Sequence, residues 1–269
     1  MADAPDLSGK AALLTGATGG IGNAIARALH RQGAAVKLSG RRAEVLESLA
    51  AELGERAEVV VADLSVLEDV RALAERAGDV DVLVANAALP ASGRLGDFSA
   101  EEADRALTVN LRAPVQLTHA LLPRMLERGS GHLVYISSIA GKIASGGGSL
   151  YSAGKFGLRG FSFALHEELK ETGVGVTAVF PGFVRDAGMF AEADLELPRG
   201  IGSRTPDQVA AAVLQGIATN RPEIDVAAFS QRFGGWLSGP APRVVAKLAR
   251  MGGAEDFAAR LAEGQKAKR

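Results

Sequence analysis

Residues 15–22 read Thr-Gly-Ala-Thr-Gly-Gly-Ile-Gly, directly after a short apolar run and at the start of a longer amphipathic stretch. Glycine lets the backbone turn tightly and approach a phosphate without a Cβ in the way. The free N–H groups and the positive end of a following helix would then face that phosphate. The spacing is G-x-x-x-G-x-G, which differs from the commoner dinucleotide fingerprint and lacks the Gly-Lys-Ser/Thr ending of a P-loop. By itself the stretch predicts either a nucleotide-binding turn or a tight turn without a ligand.

Short apolar runs alternate with amphipathic stretches along the rest of the chain. The apolar runs lack strict alternation, which is typical of parallel strands covered on both faces. They span 11–14, 35–38, 59–62, 80–85, 133–136 and 174–180, with a weaker run at 224–226. Helical patterns span 20–32, 42–53, 66–77, 100–128, 150–172 and 206–219. This order predicts an α/β fold, a Rossmann-like doubly wound parallel sheet with helices on both faces, in a single domain over residues 1–269.

The composition excludes several classes of protein. Of 269 residues, 47% are hydrophobic and 23% charged, and the formal net charge is −1, whereas a nucleic-acid-binding domain is strongly basic. There is no cysteine, which excludes disulfides, thiolate metal sites and a cysteine nucleophile. The four histidines lack ligand spacing, so we expect no metal. No targeting segment and no apolar run of transmembrane length is visible, so we expect a cytoplasmic protein without a nucleic-acid partner.

The segment 228–269 differs from the rest, with eight basic residues and three acidic ones. Within it, Val244, Val245, Leu248 and Met251 lie at helical spacing. We therefore expect a basic amphipathic C-terminal extension. It would pack on the body of the protein or on a second subunit; a helix lying on a membrane surface is the alternative.

Further polar and small residues follow the predicted strands or open the predicted helices, and Asn110 interrupts the long helical pattern over 100–128. The carboxyl ends of parallel strands meet at one edge of a doubly wound sheet, and ligands bind in the crevice there. Most of these residues can therefore converge in one cleft. They are Asp63-Leu64, Asn86-Ala87-Ala88, Asn110, Ser138, Tyr151, Lys155 and Pro181-Gly182.

In order and spacing, residues 8–227 resemble the short-chain dehydrogenase/reductase family. TGATGGIG resembles the family's TGxxxGIG cofactor turn, and ANAA at 85–88 resembles its NNAG element. YSAGK at 151–155 resembles its YxxxK motif, and PGFV at 181–184 its PG element. Asn110, Ser138, Tyr151 and Lys155 match its catalytic tetrad. Asp186 departs from the pattern, since a threonine often contacts the nicotinamide carboxamide there.

The tetrad suggests acid–base chemistry on a carbonyl or alcohol. Tyr151 and Lys155 stand four residues apart on one predicted helix, so their side chains share a face. We expect the Lys155 ammonium, together with the cationic oxidised nicotinamide, to lower the pKa of Tyr151 from its usual value of about 10. Tyr151 would then be the general acid or base, while Ser138 holds the reacting oxygen. The resemblance further implies that Lys155 binds the nicotinamide ribose and that Asn110 anchors a water linking Lys155 to solvent.

The end of the second strand indicates which nicotinamide cofactor binds. Gly40 stands where the family's NAD-selecting aspartate is found, and the guanidinium of Arg41 suits a 2′-phosphate. We expect NADP(H) in preference to NAD(H); a solvated Arg41 with relaxed cofactor use is the alternative. The resemblance implies an adenine contact for Asp63. The complete predicted cofactor-binding set is Gly16, Thr18, Gly19, Gly20, Ile21, Gly22, Arg41, Asp63, Leu64, Asn86, Ala87, Tyr151, Lys155, Pro181, Gly182 and Val184.

Three loops, at 89–98, 139–150 and 183–204, are expected to frame the substrate, and the last is long enough to be a mobile lid. The lid is rich in apolar residues, which predicts a medium or bulky apolar carbonyl compound or alcohol; they are Phe183, Met189, Phe190, Leu195 and Leu197. The first hypothesis is an NADP(H)-dependent carbonyl reductase or alcohol dehydrogenase. An NAD(P)-binding regulatory protein without turnover and an isomerase or dehydratase are the alternatives. The resemblance also implies a homodimer through the helices at 100–128 and 150–172, with a homotetramer open.

Overall fold

The computed structural model describes residues 4–186, 202–251 and 253–265. In these residues seven strands, β1 to β7 in chain order, span Ala11–Thr15, Ala35–Gly40, Ala57–Val61, Val82–Ala85, Gly131–Ile136, Val174–Pro181 and Glu223–Val226. They form one sheet in the order β3-β2-β1-β4-β5-β6-β7, and every neighbouring pair is parallel. The predicted α/β fold with a doubly wound parallel sheet is confirmed. The strand order reverses between β1 and β4, which opens a crevice at their carboxyl ends.

The helices of the described residues, α1 to α10 in chain order, connect and follow the strands. They span Gly20–Arg31, Ala43–Leu53, Leu67–Ala77, Ala100–Leu107, Ala113–Arg128, Ser149–Glu168, Pro206–Thr219, Phe229–Ser238, Pro242–Met251 and Ala254–Gln265. Two of these helices are capped at their N-termini by hydroxyl side chains, as their sequences suggest. Ser99 caps α4 by accepting a hydrogen bond from Glu102 N, and Thr205 caps α7 by accepting one from Gln208 N.

Separate apolar clusters cover the two faces of the sheet. Leu13 and Leu14 of β1 are both fully buried but belong to opposite clusters, because successive side chains of a strand alternate between faces. Helices α1, α2 and α7 close the cluster around Leu14, and α3, α5 and α6 close the one around Leu13. Burial on both faces explains why the strands appear in the sequence as continuous apolar runs.

The predicted helix over 100–128 is not continuous. Helix α4 ends at Leu107, a π-helical turn spans Thr108–Arg112, and α5 begins at Ala113. Such turns often occur where a helix presents a residue to a functional site. Here the turn contains Asn110, which is the predicted point of interruption. The helix predicted over 150–172 is also shorter than expected, since α6 ends at Glu168 and residues 169–172 form turns before β6.

The segment after β7 folds into three short helices rather than one amphipathic helix. Helix α8 contacts the 3-10 turn Ile139–Gly141 that follows β5, α9 contacts α8, and α10 contacts α9. The three helices therefore lie on the body of the protein beside the carboxyl end of β5. None of the helices described has the length and apolar character needed to span a bilayer.

Candidate active site

Two cavities, each of about 520 Å³, lie at the carboxyl ends of the strands. The first, which we call the nucleotide cavity, is lined by the glycine turn and the ends of β2, β3 and β4. The second, the catalytic cavity, is lined by the ends of β5 and β6, by α6 and by the C-terminal helices. Ile21, Asn86 and Ala88 line both, so the two cavities adjoin each other.

The glycine turn is as tight as its spacing suggests. Gly16 has a φ of +67°, and a Cβ there would lie 2.7 Å from Ala87 Cα. A Cβ on Gly22 would lie 2.2 Å from the carbonyl oxygen of Gly16, so α1 can start this close only with glycine. Asn86 Nδ2 donates to the carbonyl oxygens of Thr15 and Gly16, at 3.0 and 3.1 Å. The turn is thereby fixed to the end of β4, with the start of α1 facing the cavity.

The predicted cofactor residues divide between the two cavities. The nucleotide cavity is lined by Gly16, Thr18, Gly19, Gly20, Ile21, Gly22, Arg41, Asp63, Leu64, Asn86 and Ala87. The catalytic cavity is lined by Tyr151, Lys155, Pro181, Gly182 and Val184, together with Ser138. Asn110 lines neither.

Positive charge gathers at the β2 end of the nucleotide cavity. Arg41 is exposed at its wall, while Arg42 donates from Nη2 to the carbonyl oxygen of Thr18 at 2.9 Å and so holds the glycine turn. Burial raises the pKa of Asp63, but hydrogen bonds from Ser65 and the charges of Arg41 and Arg105 outweigh burial and hold it below its usual value. Asp63 is therefore a carboxylate at neutral pH.

Ser39 is a lining residue that the sequence analysis missed. Ser39 lines the nucleotide cavity at the end of β2, and its buried Oγ has no hydrogen-bond partner among the described residues. A buried hydroxyl without a partner is costly, and a polar ligand in the cavity would satisfy it. The glycine cradle, the exposed guanidinium and this hydroxyl together fit a phosphorylated nucleotide. Only its place at a strand end beside Gly40 could have pointed to Ser39.

Ser138 and Tyr151 meet at the wall of the catalytic cavity. Ser138 follows β5 and caps the next 3-10 turn, with Oγ accepting from Ala140 N at 3.2 Å. Tyr151 stands in the first turn of α6. Burial raises the pKa of Tyr151 to about 12, and a hydrogen bond with Ser138 partly offsets that rise. At neutral pH the phenol of Tyr151 therefore carries its proton.

Lys155 lies deeper than Tyr151 and does not lower the pKa of the phenol as we expected. Its Nζ donates to the carbonyl oxygen of Ile136 at 2.9 Å and stands 5.7 Å from the centre of the Tyr151 ring. Burial lowers the pKa of Lys155 to about 8. Because burial dominates both groups in the protein alone, the predicted stabilisation of a Tyr151 phenolate by Lys155 is not present.

The side chain of Asn110 hydrogen-bonds to main-chain groups and lines neither cavity. Its Oδ1 accepts from Leu89 N at 2.7 Å, and its Nδ2 donates to Leu89 O at 2.9 Å. Helix α6 packs closely on it, since a Cβ on Gly154 would lie 3.1 Å from Asn110 Cβ. The side-chain amide is thus committed to Leu89, and the expected link from Asn110 through water to Lys155 stays a prediction.

The C-terminal helices form a wall of the catalytic cavity that the sequence analysis did not foresee. Its lining residues on α9 and α10 are Leu248, Ala249, Phe257, Ala258, Leu261 and Gln265. Phe257 meets Phe183 edge to face, with ring centres 5.2 Å apart. The i, i+4 spacing of Phe257 and Leu261 was the available signal. The predicted lid residues Met189, Phe190, Leu195 and Leu197 lie outside the described residues.

The sequence is similar to several known proteins. A model of a protein family described as short chain dehydrogenase matches residues 10–197. Nodulation protein G of a Rhizobium species is 43% identical over 186 residues, which cover 68% of this chain and 76% of that protein. The ketoacyl reductase HetN of a Nostoc species is 37% identical over 228 residues, which cover 82% of this chain and 79% of that protein.

Solved structures also resemble the fold of this chain. A short-chain dehydrogenase from Sphingobium yanoikuyae in complex with NADPH aligns with a TM-score of 0.77 at 29% identity, covering 87% of this chain and 94% of that one. A 3-ketoacyl-(acyl-carrier-protein) reductase from Brucella melitensis complexed with NADH aligns with a TM-score of 0.75 at 27% identity, covering 84% and 99%. These neighbours hold different nicotinamide cofactors.

Proposed function

This chain belongs to the short-chain dehydrogenase/reductase family of oxidoreductases, and on that premise we propose that it transfers a hydride between NADP(H) and a ketone, aldehyde or secondary alcohol. The observation that carries the proposal is the pairing of Ser138 and Tyr151, with Lys155 beneath, on the wall of the catalytic cavity, which adjoins the nucleotide cavity. We propose a medium to bulky apolar substrate.

The residues of the nucleotide cavity would hold the cofactor. The glycine turn would bind its pyrophosphate, Asp63 its adenine and Lys155 its nicotinamide ribose. Tyr151, Pro181, Gly182 and Val184 would lie along its nicotinamide end, where their cavity adjoins the first. When bound, the cofactor supplies or accepts the hydride.

Tyr151 and Ser138 would handle the substrate oxygen. With a pKa of about 12, Tyr151 holds a proton at neutral pH and can donate it to a carbonyl oxygen during reduction. Ser138 would hydrogen-bond the same oxygen as negative charge develops on it. Alcohol oxidation needs the phenolate instead, which requires added positive charge near Tyr151.

The preference for NADP(H) rests on the residues around Arg41. Its guanidinium is exposed at the nucleotide cavity, and Gly40 offers no carboxylate to repel a 2′-phosphate. Ser39, whose buried Oγ has no hydrogen-bond partner among the described residues, lines the same cavity. A negative group bound near Arg41 would also lie close to the Asp63 carboxylate, which weakens the preference without reversing it.

The proposal of an apolar substrate is based on the apolar wall to which α9 and α10 contribute. Phe183, Phe257 and Leu261 give the catalytic cavity bulky apolar sides, which suit an alkyl or aryl group next to the reacting carbonyl. The name of the Nostoc relative, a ketoacyl reductase, agrees with a carbonyl compound of this kind. A homodimer, with a homotetramer open, and a cytoplasmic location stay predictions, to be tested by sedimentation and by cell fractionation.

The first experiment is a fluorescence titration of the purified protein with NADPH and, separately, NADH. We expect NADPH to bind about tenfold more tightly or better, since a charge-assisted contact contributes about 1.5–3 kcal/mol. NADPH consumption is then followed with a series of apolar ketones and aldehydes. The chain has two tyrosines, so Tyr151→Phe is compared with Tyr135→Phe, whose hydroxyl is buried against Thr118 at 2.7 Å.

Tyr151→Phe should retain NADPH binding and lose turnover by a factor of about 10²–10⁴, whereas Tyr135→Phe should retain turnover. Retained turnover in Tyr151→Phe would overturn the assigned acid. NADPH binding without consumption of any carbonyl compound would favour a regulatory protein or an isomerase or dehydratase on the same fold.

A further inference from the structure

Helices α8 and α9 expose an unusual amount of apolar surface. Of the large apolar side chains in the described residues, those more than half exposed are Phe229, Phe233, Trp236, Val244, Leu248 and Met251 on these helices, and Leu95 elsewhere. We call the six on α8 and α9 the apolar patch. On each helix they recur at i, i+4 and i+7, which forms a stripe along one face. Contiguous exposed apolar surface of this kind marks an interaction site.

Helix α8 turns small residues towards the protein and aromatic side chains towards solvent, the reverse of an ordinary amphipathic helix. Its inward side carries Gly234 and Gly235, where added Cβ atoms would lie 3.2 Å from Ile143 and 3.4 Å from Lys142. Its outward side carries three aromatic residues in a row, with Phe229 and Phe233 rings 6.3 Å apart and Phe233 and Trp236 rings 5.9 Å apart. Folding of the chain alone gains little from rings that stay in water. Their placement indicates burial against something outside the described chain.

The charges on the two helices that carry the apolar patch have a single sign. No acidic residue occurs between Asp225 and Glu255, whereas Arg232, Arg243, Lys247 and Arg250 do. All four basic side chains are exposed, and none is in an ion pair with another described residue. These charges and the apolar stripe fit a partner that is negatively charged at its surface and apolar beneath. An anionic lipid bilayer combines these two properties.

The apolar patch is also continuous with the catalytic cavity. Leu248 is 57% exposed and belongs to the patch, yet it lines the cavity together with Ala249 on the same helix. The cavity and the apolar patch therefore meet at Leu248. An apolar substrate dissolved in a bilayer could then reach the cavity without crossing water.

We propose that α8 and α9 dock the protein on anionic membrane surfaces, with the Phe and Trp rings entering the interfacial region and the basic residues contacting lipid headgroups. The protein lies on the surface and does not span it. The proposed route for an apolar substrate rests on the function proposed above, whereas docking itself does not, because docking requires neither cofactor nor turnover.

Trp236 makes the test direct, because it is the only tryptophan of the chain and belongs to the apolar patch. The full chain is mixed with vesicles of phosphatidylcholine and phosphatidylglycerol or of phosphatidylcholine alone, and sedimentation and tryptophan emission are recorded. We expect binding about tenfold tighter to the anionic vesicles, with a blue shift of the emission, and weaker binding as salt rises. Equal binding to both vesicle types, or none, would overturn the proposal.

Two double variants separate the contributions, and both leave Trp236 as reporter. Phe229→Ser with Phe233→Ser should abolish the blue shift, and Arg243→Glu with Lys247→Glu should abolish the preference for anionic vesicles. The matched control is Val45→Ser with Leu126→Ser, which removes two exposed apolar side chains outside the patch and should bind as the parent does. Parent-like binding by the first variant would refute the role of the patch.

Other occupants of the apolar patch give different results. A second copy of the chain would cause a blue shift that depends on protein concentration without vesicles and disappears in Phe229→Ser with Phe233→Ser. Absence of both vesicle binding and self-association would leave an acidic protein as the partner. Either result overturns the lipid assignment. Circular dichroism and thermal unfolding of each variant verify that the fold is retained.

Discussion

The side-chain amide of Asn110 hydrogen-bonds both the main-chain N–H and the main-chain carbonyl of Leu89, at 2.7 and 2.9 Å. The two residues belong to different elements, the π-helical turn before α5 and the loop after β4. Leu89 lines the nucleotide cavity, so the pair fixes a wall of that cavity to the helix layer behind it. The asparagine at this position is therefore a structural support of the cavity.

Replacing Asn110 should destabilise the whole protein. Asn110→Leu leaves the N–H and the carbonyl of Leu89 buried without partners, which costs about 2–4 kcal/mol in the free energy of unfolding. Urea unfolding measures the change. Asn23→Leu is the control, since Asn23 accepts one hydrogen bond from Arg27 on the half-buried face of α1 and should cost about 0.5 kcal/mol. Equal costs for the two variants would contradict the bracing role of Asn110.

Arg41 should determine the choice of cofactor. Arg41→Gln removes the charge that faces a 2′-phosphate, so the Kd of NADPH should rise about 10- to 100-fold while that of NADH stays unchanged. Isothermal titration with both cofactors measures this. Arg71→Gln, on the exposed surface of α3, removes the same charge away from the cavity and should change neither Kd. A parallel loss of both cofactors in Arg41→Gln would argue against a phosphate contact.

Phe257 should select for bulky substrates. Phe257→Ala removes the edge-to-face contact with Phe183 and part of the apolar wall. Loss of the apolar area that Phe257 offers a bulky ketone should cost about 1–2 kcal/mol of binding free energy, so the KM of such a ketone should rise about 5- to 30-fold. The KM of a small ketone and the Kd of NADPH should stay nearly constant, because neither ligand needs that wall. A uniform loss for large and small ketones would instead indicate damage to the fold.

His132 should make the protein sensitive to acid. Burial, with a smaller effect of the charge on His166, lowers the pKa of His132 to about 4, and its Nε2 lies 3.0 Å from Thr177 Oγ1. The unfolded chain takes up a proton near pH 6.5, so stability is lost as pH falls from there towards 4. The free energy of unfolding should fall by about 2 kcal/mol more between pH 7 and 5 in the parent than in His132→Gln. Equal falls would show that His132 is not the cause.

The sheet was predictable because its central strands, β1, β4, β5 and β6, are buried on both faces and so leave uninterrupted apolar runs. The edge strands β3 and β7 are only partly buried. The turn at Asn110 was only partly visible, since a π-helical turn inserts a residue without changing the apolar period of the flanking helices. Helix α8 was missed because Gly234 and Gly235 lower the helix propensity of its sequence. There, contacts with the 3-10 turn after β5 outweigh local preference.

The candidate site was predictable where its residues lie in motifs and unpredictable where distant elements contribute. The glycine turn and the residues from Ser138 to Lys155 stand at fixed spacing on strand ends and one helix. Ser39 and Phe257 belong to no motif, and they line the cavities only because of the tertiary arrangement. In the protein alone the pKa of Tyr151 is raised, because burial, which spacing does not reveal, exceeds the effect of a lysine that bonds to Ile136 instead. Its lowering beside an oxidised nicotinamide stays a prediction.

Because α9 and α10 form a wall of the catalytic cavity, the choice of substrate and the choice of cofactor depend on different segments of the chain. The lining of the nucleotide cavity is encoded within residues 16–109, whereas this wall is encoded within residues 248–265. Exchange of the last helices by recombination would therefore alter the set of accepted carbonyl compounds and leave cofactor choice untouched. New substrate ranges could evolve, or be engineered, from one segment at the periphery of an otherwise constant enzyme.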